Sequence, residues 1–205
     1  MCRLLETICF TDGAPPLLPY HQARFDAARR HFWGALPPLL LKEVLVVPPD
    51  FRQGKVKCRL TYSAADFVVE WEHYTPRRIG SLQLVAADHL DYAFKYADRS
   101  ALAELWQQRG AADDILIVKN GLITDTSYSN VALFDGKRYF TPAQPLLAGV
   151  RRAALLDAGL LAPADIRPAD LPDFQHIALI NGMLDLGECM VGLGDGFLHD
   201  YSPNI

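Results

Sequence analysis

Lysine is scarce in this 205-residue chain, six against fourteen arginines. Five of the six sit near prolines, at strand ends or beside hairpin turns. Lys95 lies instead in DYAFKYADR, among aromatic side chains. An ammonium among apolar groups is disfavoured, so its pKa falls and the neutral amine can attack a carbonyl. That is what a Schiff-base lysine requires; a lysine snorkelling from a strand edge is the competing use. Gly149-Val150-Arg151 opens a helix directly after Pro145-Leu146-Leu147. The N–H groups of a helix start suit a phosphate. Arginines in a first turn oppose the helix dipole, a conflict relieved by a docked anion or by solvation. Asp125, in ITDTSYSN, can pair with a cation in a cleft or cap a turn with Thr126 and Ser127. Arg24 follows His21 by three residues on the first helix, as an anion binder or a surface arginine.

Taken together these residues fit one cofactor. A carbonyl-attacking lysine, a phosphate-binding helix start, an arginine for the phosphate and a carboxylate for a pyridinium nitrogen are what pyridoxal 5'-phosphate needs. The chain carries no nucleophile elbow, HExxH, Walker A or GxGxxG motif, so those reaction classes lose their usual support.

The elements that must position these residues are legible from periodicity. LLETICF is an apolar strand closed by Thr11-Asp12-Gly13. A helix begins near Pro19, with Phe25, Ala28 and Phe32 on one face and Gly34 as its stop. KVKCRLTY alternates as a half-buried strand does, and FVVEWEHY and SLQLVAAD read as further strands. SALAELWQQRG is a helix with Ser100 or Asp98 as N-cap and Gly110 as C-cap. Asn120-Gly121 and Asp135-Gly136 are two-residue hairpin signals, which predicts three strands in meander order ending at Thr141-Pro142. GVRRAALLDAGL is a short helix ending near Gly159, and HIALIN a late strand before a glycine-rich C-terminus. Strands and helices mix without strict βαβ alternation, which predicts an α+β fold. A soft division near Arg78-Ile79-Gly80 separates residues 1–79, a smaller α+β part, from residues 80–205, a larger part carrying Lys95.

Composition narrows the function classes. Half the residues are apolar and 21% charged, with net charge −4 and pI about 5.8. That is a globular chain without the basic surplus of a nucleic-acid binder. No apolar run reaches the roughly 20 residues of a membrane span, and the N-terminus lacks signal-peptide order. Cysteines 2, 9, 58 and 189 form no CxxC, so no metal site is indicated and the expectation is a cytoplasmic protein with reduced thiols.

These segments, in this order, resemble the class IV aminotransferase family. LLETI resembles the family's strand bearing a Glu-Thr pair, and LPYHQARF its His-x-x-Arg helix. FKYADR resembles the lyase-like pattern of lysine, two residues, Asn or Asp, then Arg. GLITDTSYSNVALF resembles the Gly-x-Val-x-Glu segment ending in Ser-x-Asn. TPAQPLLAGVRR matches Thr-Pro, a spacer, then Leu-x-Gly-x-x-Arg, and LINGM resembles a late strand-to-loop segment.

The resemblance implies a fold-type-IV enzyme like D-amino-acid aminotransferase, with a small N-terminal part and a larger mixed sheet or pseudo-barrel. It makes Lys95 the catalytic Schiff-base lysine and Arg24 the phosphate-binding arginine. Asp125 takes the place of the carboxylate on the pyridine nitrogen, and Gly149, Val150 and Arg151 that of the phosphate-binding amides. Gly182 and Met183 would face the substrate carboxylate, with Arg59, or Arg77 and Arg78, as a cation for it. Three departures stand out: Asp125 is a methylene shorter than the usual glutamate, Arg151 stands where many relatives have threonine, and the strand that precedes LLETI in most relatives is missing.

The implied chemistry is formation of an external aldimine with a small amino substrate and abstraction of its α-proton. The favoured outcome is a 4-amino-4-deoxychorismate lyase of folate biosynthesis, giving 4-aminobenzoate and pyruvate. A branched-chain or D-amino-acid transaminase and an inactive cofactor-binding protein are the alternatives. A homodimer is the family expectation, with no nucleic-acid, membrane or metal partner.

Overall fold

Alternation builds the first unit. In β2 (Lys55–Tyr62), Val56, Cys58, Leu60 and Tyr62 are buried while Lys57, Arg59 and Thr61 take the other face. β1 (Leu4–Thr11) pairs with it antiparallel, so that Glu6 lies opposite Leu60 and Thr7 opposite Arg59. β3 (Phe67–His73) completes a three-stranded sheet in the order β1-β2-β3. α1 (Leu18–Trp33) has proline in its first turn and stops at Gly34, whose φ of 70° favours glycine. Phe25 and Ala28 of α1 pack on Leu4, Ile8 and Leu60, with Leu41 of the one-turn α2 (Leu41–Val44). Phe32 packs at the margin of this core.

The computed structural model describes residues 2–193. It divides into two units, residues 2–76 with 94–98, and residues 77–93 with 99–193. The short return segment is held on β1. Leu5 N–H donates to the Lys95 carbonyl and Ala97 N–H to that of Arg3, both at 2.9 Å. Phe94 and Tyr96 pack against the core of the first unit. Lys95 therefore belongs to the first unit, whereas the sequence reading places it in the larger C-terminal part. Long-range pairing and aromatic burial account for the difference.

The second unit is a mixed sheet. β4 (Leu82–Ala86) and β5 (Asp114–Lys119) are parallel, joined through α3 (Ser100–Trp106), because a parallel crossover needs a connection of this length. Asn120 and Gly121, both at positive φ, turn the chain into β6 (Leu122–Thr126). β7 (Asn130–Phe134) and β8 (Tyr139–Pro142) follow, then α4 (Val150–Asp157). β9 (Leu161–Ala164) runs parallel to β8, while β10 (His176–Ile180) lies between β7 and β11 (Met190–Gly192). Ala132, Ala178 and Ile180 of the sheet bury Leu155 of α4 and Leu161 of β9.

Three expectations shift. The predicted middle strand of the meander is two strands, because Thr126 Oγ1 accepts the N–H groups of Tyr128 and Ser129 and folds residues 127–129 into a tight turn. The helix at Ser100 has Arg99 as N-cap without a side-chain cap, and it passes into a 3-10 turn over Gln107–Arg109 before Gly110. β9 and β11 were not expected; both are short, and β9 contains Pro163. Residues 194–205, the end of the glycine-rich C-terminus, lie outside the described residues.

Candidate functional site

In the first unit, α1 aims two side chains at one buried acid. His21 and Arg24, three residues apart, share a helix face, and Glu6 on β1 is fully buried. Arg24 grips Glu6 side-on: Nε donates to Oε1 at 2.9 Å and Nη2 to Oε2 at 2.5 Å. His21 Nδ1 donates to Oε2 at 2.6 Å. Burial alone would raise the Glu6 carboxyl, but the Arg24 charge and the bonds from His21 and Arg24 outweigh it and hold the pKa at about 2. His21 moves down because it is buried, helped by the charges of Arg24 and Lys95 and opposed by Glu6. It is therefore a neutral imidazole bonded to a carboxylate, and Glu6 and Arg24 form the ion pair. Lys95, half-buried, contributes its charge to this cluster.

In the second unit Asp125 lies near the end of β6 and is 5% exposed. Its partners are neutral. Asn130 Nδ2 donates to Oδ1 at 3.0 Å, and Leu147 N–H to Oδ2 at 3.0 Å. The turn at 127–129 puts Asp125 and Asn130 in register, which is why the strand breaks there. Burial pushes Asp125 up to about 7 against the Asn130 and Leu147 bonds and the more distant charge of Arg152. Asp125 does not cap the turn; Thr126 does.

Asn130 also ties the strand to the start of α4. Its Nδ2 donates to the Leu147 carbonyl at 2.9 Å, and a Cβ on Gly149 would lie 1.8 Å from its Oδ1. Only glycine fits there. Gly149 is the N-cap of α4, where no side chain caps the helix and the first turn has no acid. The two arginines that follow turn to other acceptors. Arg151 Nη1 meets Asp185 at 3.1 Å, and Arg152 donates to Thr141 Oγ1 and the Pro142 carbonyl. Arg151 Nε is buried without a hydrogen-bond partner among the described residues.

The remaining sequence-read residues separate. Arg59 is exposed on the face of β2 shared with Thr7, opposite the face carrying Glu6 and Leu60, so it stands apart from the Glu6 cluster. Arg77 and Arg78 are exposed. Gly182 is half-buried in the turn after β10. Met183 is buried, and its N–H donates to Asn181 Oδ1 at 2.7 Å. Glu6, His21 and Asn130 carry contacts that the reading did not assign. A cavity of about 450 Å³ in the second unit, lined by Lys119, Gln144 and Asp165 among others, touches Thr124 and Leu146 but not Asp125.

The donor set suits a phosphorylated pyridine aldehyde. An uncapped helix start with a glycine cradle and an orphaned buried guanidinium N–H suits a phosphate. A buried carboxylate with only neutral direct partners suits a pyridinium nitrogen. The comparisons agree with this chemistry. The sequence profile of the amino-transferase class IV family matches residues 3–188. An uncharacterized protein of Haemophilus influenzae is 34% identical over 185 residues, 89% of this chain and 98% of its own length. The crystal structure of a Haemophilus somnus 129PT protein, provisionally described as a 4-amino-4-deoxychorismate lyase, superposes with a TM-score of 0.86 at 31% identity, covering 91% of this chain and 98% of that one. A Mycobacterium tuberculosis protein described as a hypothetical aminotransferase, in a form with pyridoxal phosphate bound, shares the fold with a TM-score of 0.77 at 20% identity, over 98% of this chain and 84% of that one.

Two outcomes follow. Gly149→Ala must expel the Asn130 side chain from its bonds to Asp125 and Leu147, at a cost of about 1–3 kcal/mol by thermal unfolding. Asp125 has a folded pKa above its unfolded value, so its contribution is fully present below about pH 4 and is lost as pH rises through about 7. In cofactor-free protein the unfolding temperature of wild type minus that of Asp125→Asn should fall over that window and level off above it. A difference that climbs with pH would contradict the assignment.

Proposed function

The chain belongs to the class IV aminotransferase family, and from that premise we propose that it is a pyridoxal-phosphate enzyme acting on a small amino substrate, with 4-amino-4-deoxychorismate elimination as its reaction. The observation that carries the reading is Asp125, a buried carboxylate whose direct partners among the described residues are neutral, which leaves it to be met by a cation such as a pyridinium. Pyridoxal 5'-phosphate is the cofactor of this family. When bound it supplies a carbonyl that condenses with amines and a ring that accepts the electron pair left by a departing α-proton.

The chain's own residues would do the rest. Lys95 Nζ would hold the cofactor and would serve as the base for the substrate's α-proton. Asp125 would keep a proton at the ring nitrogen. Arg24 and the backbone amides of Val150 and Arg151, with Gly149 making room, would bind the phosphate. Arg59 and the turn at Gly182 are assigned to the substrate carboxylates. Elimination is favoured over transamination by the FKYADR segment, and the provisional description of the H. somnus neighbour as a lyase agrees with it. The reading includes a cytoplasmic homodimer. The free cysteines fit a reducing compartment, and a monomer in sedimentation at micromolar concentration would overturn the dimer.

The test is spectroscopic first. Added pyridoxal phosphate should give a visible absorbance band that borohydride fixes on Lys95, and Lys95→Ala should lack it. The loaded protein should then release 4-aminobenzoate and pyruvate from aminodeoxychorismate. Amino transfer from branched-chain or D-amino acids instead would make it a transaminase. Bound cofactor without turnover of either set would make it a binding protein.

A further inference from the structure

Glu6 is an unusual residue for its place. It sits on the core face of an apolar strand, between Leu4 and Ile8, where leucine or valine would pack. Both of its oxygens are engaged, Oε1 by Arg24 Nε and Oε2 by Arg24 Nη2 and His21 Nδ1. Stability alone does not call for this arrangement, because replacing a buried ion pair by apolar groups is often neutral or stabilising. What the pair supplies is direction. A side-on fork fixes the guanidinium plane through two parallel bonds. It occupies the Nε and Nη2 edge and turns the Nη1 edge away from Glu6. His21, one turn earlier on α1, anchors the same carboxylate from a second position, so the acceptor that orients Arg24 is itself fixed.

We propose that Glu6, braced by His21, is a positioning residue that presents Arg24 to the cofactor phosphate. The inference rests on the assignment of Arg24 to that phosphate. Glu6 makes no contact with the phosphate; it acts through the angle at which Arg24 is held. A fixed donor loses less freedom on binding than a mobile one, so the benefit should appear in affinity for the phosphorylated ligand alone.

Equilibrium titrations with pyridoxal phosphate and with pyridoxal, which lacks the phosphate, read this directly through their absorbance. The quantity is the ratio of the two affinities in wild type, Glu6→Gln, Glu6→Asp and Arg24→Gln. Glutamine replaces one acceptor oxygen with a donor and breaks the fork, so Glu6→Gln should lower the ratio by about ten-fold or more, leaving pyridoxal within about two-fold. Glu6→Asp keeps the charge but withdraws it by one methylene, and should lower the ratio less. Arg24→Gln should lower it at least as far as Glu6→Gln. An unchanged ratio in Arg24→Gln would refute the phosphate assignment itself. A lowered ratio in Arg24→Gln with wild-type ratios in both Glu6 variants would leave that assignment standing and overturn the positioning role. Equal loss of both ligands in the Glu6 variants would also overturn it, as a purely structural effect. If Glu6→Gln does not fold by circular dichroism, Glu6→Asp decides, since it retains the ion pair.

Discussion

Burying a carboxylate is costly unless its charge is met, and two buried carboxylates, Glu6 in the first unit and Asp125 in the second, organise their surroundings. The two are met in opposite ways. Glu6 receives a guanidinium fork and an imidazole N–H and is held as an anion at a pKa of about 2. Asp125 receives a carboxamide N–H and a backbone N–H, with Arg152 acting only through space, and burial lifts it to about 7. The first carboxylate is complete within the chain. The second lacks a direct cationic partner among the described residues, and the proposed cofactor supplies one.

The surrounding elements answer to these two groups. Two-residue alternation on β1 puts Glu6 inward, and the three-residue spacing on α1 brings His21 and Arg24 to it. On the other unit the strand breaks after Thr126 so that Asp125 and Asn130 face each other. Asn130 then reaches the loop before α4, and this contact leaves no room for a side chain at position 149. The buried carboxylate and the helix start are thus tied together by one asparagine.

Much of this was legible from residue order. The strand KVKCRLTY, the first helix with Gly34, the Asn120-Gly121 turn and the helix at Val150 follow from periodicity and turn chemistry. Lys95 and Asp125 stood out by their neighbours. The roles of Glu6 and His21 did not, although an acid inside an apolar strand was a signal of its own. The exposure of Arg59 was legible too: alternation in KVKCRLTY sets it with Lys57, away from Cys58 and Leu60. The return of residues 94–98 to β1 depends on pairing across about ninety residues, which local pattern does not encode. Asn130 was visible only as the end of a motif, because its work is done by a side chain spanning a loop that sequence spacing cannot fold.

The central claim is that Asp125 is the buried carboxylate that meets the cofactor's ring nitrogen. The direct measurement is the ¹³C titration of its carboxyl carbon, assigned by comparison with Asp125→Asn, in the cofactor-free and loaded protein. The account predicts a midpoint near 7 without cofactor and ionisation held to distinctly lower pH when pyridoxal phosphate is bound. A midpoint near that of an ordinary aspartate in the empty protein, or one that loading leaves unmoved, would contradict it.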